Sequence, residues 1–313
     1  MDKQTVKNVV SIFLMIIVFS YALDKVVFYT LNSVSDKVFT GQSMGKLNHF
    51  FKLKDSIDLV VIGSSRANHH IDVSKISENG FNAGTDGTKL AYAATLIKTL
   101  PKNKKQTVLL HISEKTAFSE DYDGEDIISL KSKYNRNEII RKEIDALGKA
   151  NKLHHIFYSL GYNGSVLGLL KNRFFPKYNY KSYDGFDPIY ITSQQEKAFQ
   201  MFLSRKTTDE CPHSFNINPL YEQYLEQIKS FCDANNKQLI LFTAPVYEDN
   251  CKDDNREFAK ILDQYNFKYL DYSNLFKENS DLANWRDATH LSHKGAEIFT
   301  TKIVEDIYLN LAP

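Results

Sequence analysis

A chain of 313 residues with 42% hydrophobic and 13% aromatic side chains can bury a large core, which excludes a disordered protein. Its formal net charge of +1 gives no global attraction to nucleic acid, so any electrostatic preference must be local. Cys211, Cys232 and Cys251 fit neither a metal-ligand spacing nor a dense disulfide framework; a Cys211–Cys251 bridge in an oxidising compartment and three unpaired thiols are both open.

The N-terminus differs in kind from the rest. After Lys3 and Lys7, an uninterrupted apolar run of 15 residues extends from Val9 to Leu23, and apolar character resumes at Val26 beyond Asp24-Lys25. Counting Val26 to Tyr29 brings the stretch to the roughly 20 residues that span a bilayer, with the Lys25 stem placed to snorkel at the far interface. No small-x-small cleavage pattern follows, which favours an uncleaved signal anchor over residues 1–31 above a cleaved signal peptide or a buried helix. Lysines ahead of the span predict a cytoplasmic N-terminus, with residues 32 onward outside the cytoplasm and a single-pass cell-membrane location.

Residues 32–55 mix polar and apolar positions and read as a connecting helix or stalk. From Asp58 onward, strand-type runs at 58–63, 80–83, 107–112, 238–243 and 267–271 alternate with helical patterns at 68–78, 88–99, 219–235, 253–265 and 293–311. In the last helix Ala296, Phe299, Ile303, Ile307 and Leu311 share one face, with Ser292 available as its N-cap. Such alternation predicts an α/β fold, a parallel sheet covered by helices, over residues 56–313. Ligands bind such sheets at the C-terminal ends of the strands.

The stretch 119–219 interrupts the alternation as a largely helical insertion. Between Lys131 and Lys181 it holds eleven Lys or Arg against three Asp or Glu. It reads either as a lid or substrate platform rising from the active-site edge, or as a solvated excursion whose charges keep it soluble. An anionic partner, acidic polysaccharide or lipid headgroup, would suit the charge excess.

Two segments carry chemistry. Asp58-Leu59-Val60-Val61-Ile62-Gly63-Ser64-Ser65-Arg66 is a strand that stops at a glycine and two serines; Asp287-Ala288-Thr289-His290-Leu291 precedes the final helix. Together they offer a hydroxyl nucleophile, an imidazole base and a carboxylate to orient it. A second glycine turn, Phe81-Asn82-Ala83-Gly84-Thr85-Asp86-Gly87, follows the next strand and could bring the Gly84 amide beside the Ser65 amide as an oxyanion donor. Arg66 could clamp an anionic substrate group or be a surface arginine at a helix start, and the sequence favours neither. The pairs His69-His70 and His154-His155 do not point two ligands at one metal, because adjacent helical residues diverge. Asn163-Gly164-Ser165 reads as a turn, and Pro245 as the end of the fourth strand.

Strand-Gly-x-Ser, Asn-x-Gly after the second strand and Asp-x-x-His-Leu before a last helix resemble the SGNH (GDSL-type) hydrolase superfamily. The closer likeness is to membrane-anchored, extracytoplasmic bacterial members linked to acyl modification of cell-envelope polymers. It covers roughly residues 56–115 and 220–311. The resemblance implies a flavodoxin-like three-layer sandwich, Ser65 as nucleophile, His290 as base, Asp287 as its partner, and Ser65 and Gly84 amides as oxyanion donors. The family's asparagine after the third strand is absent: the chain reads His111-Ile112-Ser113-Glu114, so Ser113 or a backbone amide would have to substitute.

The expectation is therefore a membrane-tethered serine esterase or O-acyltransferase acting on acyl esters of a cell-envelope glycan or related polymer. A non-catalytic SGNH-like module that binds glycan, or assists a membrane O-acyltransferase as its partner, is the alternative. No metal, organic cofactor or nucleic acid is implied.

Overall fold

The computed structural model describes residues 2–42, 44–204, 211, 214–279 and 281–311, without the side chains of 252 and 309–311. Leu311, expected on the buried face of the last helix, therefore has its side chain outside the described residues. The chain forms two compact units, one of residues 1–48 with 130–178, the other of 49–129 with 179–313.

The larger unit is an α/β fold around a five-stranded, wholly parallel sheet of β1 (Leu59–Ile62), β2 (Gly80–Asn82), β3 (Gln106–His111), β4 (Lys237–Thr243) and β5 (Tyr269–Asp271). The strand order is β2-β1-β3-β4-β5, that of doubly wound flavodoxin-like sheets. All four residues of β1 are buried, as a strand covered on both faces requires. One face sends Leu59, Val61, Leu109, Ile240 and Phe242 into a core shared with Phe299, Ile303 and Ile307 of the C-terminal helix. The alternate residues Val60, Ile62, Val108, Leu110 and Leu241 are equally enclosed on the other. The sheet changes direction of winding between β1 and β3, so the crevice at a switch point opens beyond Ile62 and His111.

The helices Leu90–Lys98, Pro219–Ala234, Lys252–Gln264 and His293–Leu311 fall within two residues of expectation. Ser292 caps the last of these, its Oγ accepting the Gly295 N–H at 3.3 Å. The expected helix 68–78 is the exception. Its residues divide between a short helix, Ser65–His70, and a 3-10 turn, Val73–Lys75. Ile71 is extended at φ −120°, and Asp72 spends its carboxylate on the Ser74 amide, a local bond that competes with helix continuation.

The smaller unit contains the Lys3–Ser35 helix of 33 residues, whose most apolar window has a mean hydropathy of 2.0 and is not covered by protein. It is long and apolar enough to cross a membrane. Its C-terminal part is packed: Phe28 joins Val38, Met44, Tyr162 and Leu169 in a small core. Asp24 is buried and accepts the backbone N–H groups of Tyr158 and Ser159 at 2.8 and 2.9 Å. Lys25 Nζ donates to Asp24 and to the Ile156 carbonyl and lies 3.5 Å from the Tyr158 ring centre. Residues 32–55 hold the last turn of this helix and a second one, Met44–Leu53, with Met44, Leu47 and Phe50 buried.

Candidate active site

Gly63 ends β1 at φ +147°, and a Cβ there would stand 2.6 Å from the His111 Cβ, so the chain can turn this tightly only without a side chain. Ser64 then caps the next helix, its Oγ accepting the Arg66 N–H at 3.3 Å, and Ser65 is the first helical residue. That position leaves the Ser65 amide without an intrahelical acceptor.

The structure brings Ser65, His290 and Asp287 together from opposite ends of the larger unit's sequence. Ser65 Oγ lies 2.8 Å from His290 Nε2, and His290 Nδ1 lies 3.0 and 3.1 Å from the two Asp287 oxygens. Asp287 also accepts the Thr289 and His290 backbone N–H groups at 2.9 and 3.0 Å. Burial would raise the Asp287 pKa, but the hydrogen bonds from His290 and Thr289 outweigh it and hold the carboxyl at about 2. The carboxylate is thus charged wherever the imidazole needs a partner.

The loop that carries this pair is fixed from both sides. Trp285 bridges Leu291, and the Arg286 N–H donates to the His290 carbonyl at 2.8 Å. His70 Nε2 accepts the Leu291 N–H at 3.0 Å. Burial, with the charges of His290 and Arg66 beside it, pushes the His70 pKa well below the ordinary histidine range, which keeps that nitrogen free to accept. Its neighbour His69 faces elsewhere, to the Asp187 carbonyl and to Asp86, as divergent adjacent side chains must.

A cavity of about 250 Å³ opens at the Ser65 hydroxyl, lined also by Arg66, Gly87, His111, Ser113 and His290. Gly84, expected as an oxyanion donor, is not in its wall. Its N–H donates to Asn82 Oδ1 at 2.9 Å, and Asn82 in turn donates to the Ala67 and Ile71 carbonyls. Gly84 is needed for packing, since a Cβ would stand 2.6 Å from the Asn68 nitrogen. The residue missed is Gly87, three positions later in the same turn. It lines the cavity at φ +74°, and its amide has no hydrogen-bond partner among the described residues. The Asp86-Gly87 dipeptide was the available signal, because it marks a turn whose glycine takes positive φ.

Ser113 does line the cavity, with its N–H 3.4 Å from the Tyr221 hydroxyl. His111 is a second group that sequence reasoning passed over. It is buried, its Nδ1 lies 3.2 Å from Ser64 Oγ, and its Nε2 has no partner among the described residues. Pro245 lies two residues beyond β4 and outside the cavity wall. Away from this site, Cys211 and Cys251 form a disulfide while Cys232 is a buried thiol. Among the described residues no three His, Cys, Asp or Glu side chains converge as a metal site.

No protein-family model and no curated protein matches the chain.

Proposed function

We propose that the protein is a membrane-tethered serine esterase or O-acyltransferase of SGNH type, acting on acyl esters of a cell-envelope glycan or related polymer outside the cytoplasm. The observation that carries this reading is the hydrogen-bond chain Ser65–His290–Asp287, with spacings of 2.8 and 3.0 Å and the cavity at its serine end. Three groups in this order, nucleophile, base and orienting carboxylate, are the equipment of covalent acyl transfer.

In this reading Ser65 Oγ attacks the acyl carbonyl carbon while its proton passes to His290 Nε2. Asp287 stabilises the imidazolium through Nδ1. The oxyanion is met by the Ser65 and Gly87 amides, both without an internal acceptor, with Ser113 in the same wall. The C–O bond to the leaving alcohol breaks as His290 returns its proton. Water or a sugar hydroxyl then attacks the acyl-Ser65 ester, and His290 serves as base a second time. The disulfide is of a kind that persists in oxidising compartments, which supports the extracytoplasmic placement. The charge excess of residues 131–181 supports an anionic polymer or headgroup as a neighbour.

The test is covalent. A fluorophosphonate probe added to the full chain in detergent is expected to label Ser65, with labelling abolished in Ser65→Ala. Labelling that survives in Ser65→Ala ends the nucleophile assignment, and an unlabelled wild type turns the reading toward a non-catalytic glycan-binding or acyltransferase-assisting module.

A further inference from the structure

Among the described residues, the wall of the Ser65 cavity carries two cationic side chains, Arg66 and Lys89, and no carboxylate. Arg66 immediately follows the nucleophile in the first turn of the Ser65–His70 helix. Its Nη1 is shut off from solvent without a hydrogen-bond partner, and its guanidinium closes no ion pair among the described residues. Arg66 is partly buried, with only Nη1 enclosed, and a guanidinium left unpaired in a cavity wall is suited to a counterion supplied from outside.

Two carboxylates act on Arg66 at longer range, Glu114 and Asp287. Asp287 is already occupied by His290 and by the Thr289 amide. Glu114 is buried with its own Oε2 unpartnered among the described residues, and it does not reach the guanidinium within ion-pair distance. Lys89 is exposed at the turn after Gly87, its Nζ 5.7 Å from the Tyr122 ring centre.

We infer that Arg66, with Lys89 beside it, forms an anion subsite in the cavity, so that the ester presented to Ser65 carries a carboxylate or a phosphate close to the acylated position. A guanidinium fork suits either group, because both offer two oxygens to parallel N–H donors. Lys89 adds a point charge at flexible reach. An aminoacyl ester, whose ammonium would enter the same wall, meets like charge instead. The substrate class deepens the esterase reading and rests on it, whereas the anion subsite itself does not.

The experiment uses the full chain in zwitterionic micelles, with inorganic phosphate and succinate as probes. Binding is read by titration calorimetry, and separately as protection of Ser65 from a fluorophosphonate. The wild type is expected to bind at least one of the two at millimolar concentration, and the better of them identifies phosphate or carboxylate as the recognised group. Arg66→Gln should weaken that binding by about tenfold or more, the loss of one charge-assisted contact, and Arg66→Lys should recover part of it. Lys89→Gln, at an exposed side chain that leaves the fold undisturbed, should weaken binding severalfold. Should Arg66→Gln fail to fold, the Lys89→Gln arm decides alone. Anion binding unchanged in these variants, or absent from the wild type, overturns the inference. A chain that binds the anion through Arg66 yet never labels at Ser65 keeps the subsite and loses the esterase; one that labels without anion protection does the reverse.

Discussion

At the scale of single residues, Asp287 and His290 separate catalysis from packing. If the pair is catalytic, His290→Ala should lower esterase activity by roughly 10⁴-fold or more with the fold retained, and Asp287→Asn by roughly 10⁴-fold, since a neutral partner allows the wrong imidazole tautomer. The double variant should lose little beyond the worse single one. Steady-state kinetics on a chromogenic ester, with circular dichroism as the control for folding, decides this. The carboxyl's lowered pKa makes a second, independent statement about pH. A folded-state value of about 2 against an ordinary 3.8 means that its stabilising contribution is present above pH 4 and is lost as pH falls through 2. Denaturation midpoints of Asp287→Asn should therefore lie below the wild type at pH 6 and converge with it near pH 2. The two glycines of the second turn part in the same manner. Gly84→Ala drives a Cβ against the Asn68 nitrogen and should cost folding, whereas Gly87→Ala strains a positive-φ residue in the cavity wall, the proposed oxyanion donor, and should cost activity. Measuring stability and kcat for both variants checks the exchange of roles, and a Gly84→Ala protein that is stable but inactive would restore Gly84 as the donor.

At the scale of elements, the sheet and the helices that face it were legible because β1, β3 and β4 hold short apolar runs bounded by turn residues and the last helix has one apolar stripe. Val60-Val61-Ile62 followed by Gly63 left little choice of strand end, and Phe299, Ile303 and Ile307 left little choice of buried face. What escaped were features decided by side-chain-to-backbone bonds. Asp72 capturing the Ser74 amide cannot be told in sequence from an exposed helical aspartate, and Asn82 capturing the Gly84 amide cannot be told from an ordinary turn asparagine. The disulfide was undecidable for a related reason: 40 positions separate Cys211 from Cys251, and only the fold brings their Cα atoms to 5.4 Å. A loop of that length closed in the unfolded chain corresponds to about 4 kcal/mol of stabilisation in the chain-entropy account. Cys211→Ser and Cys251→Ser should each lower the denaturation midpoint by a similar amount, and the double variant by no more than either, as read by urea titration. Asp254, buried in the first turn after Cys251 with its N–H donating to the Cys251 carbonyl, moves oppositely to Asp287: burial and the neighbouring Glu114 charge push it up to about 6. Its favourable contribution is complete below pH 4 and fades as pH rises through 6, so Asp254→Asn should stabilise the protein at pH 8 and scarcely alter it at pH 4.

At the scale of the whole molecule, one apolar helix and one disulfide make a joint statement about compartment. The apolar run from Val9 reads from sequence at once, but its partners do not, because Asp24 finds the Tyr158 and Ser159 amides across more than 130 positions of chain. A helix long and apolar enough to cross a membrane, with Lys3 and Lys7 ahead of its apolar run and a following domain that keeps Cys211 bonded to Cys251, agrees with the proposed external placement, because thiols oxidise outside the cytoplasm and are held reduced within it. Thiol counting tests this without removing the helix. Cells are quenched in acid, the chain is denatured, and a maleimide mass tag is added with or without prior reduction. An external domain should accept one tag without reductant, at Cys232, and three after it. Protease added to intact spheroplasts should, on the same placement, digest the chain beyond residue 32. Three tags on unreduced chain together with full protection from protease would put the domain in the cytoplasm, and the envelope polymer would then be out of reach of Ser65 whatever its chemistry.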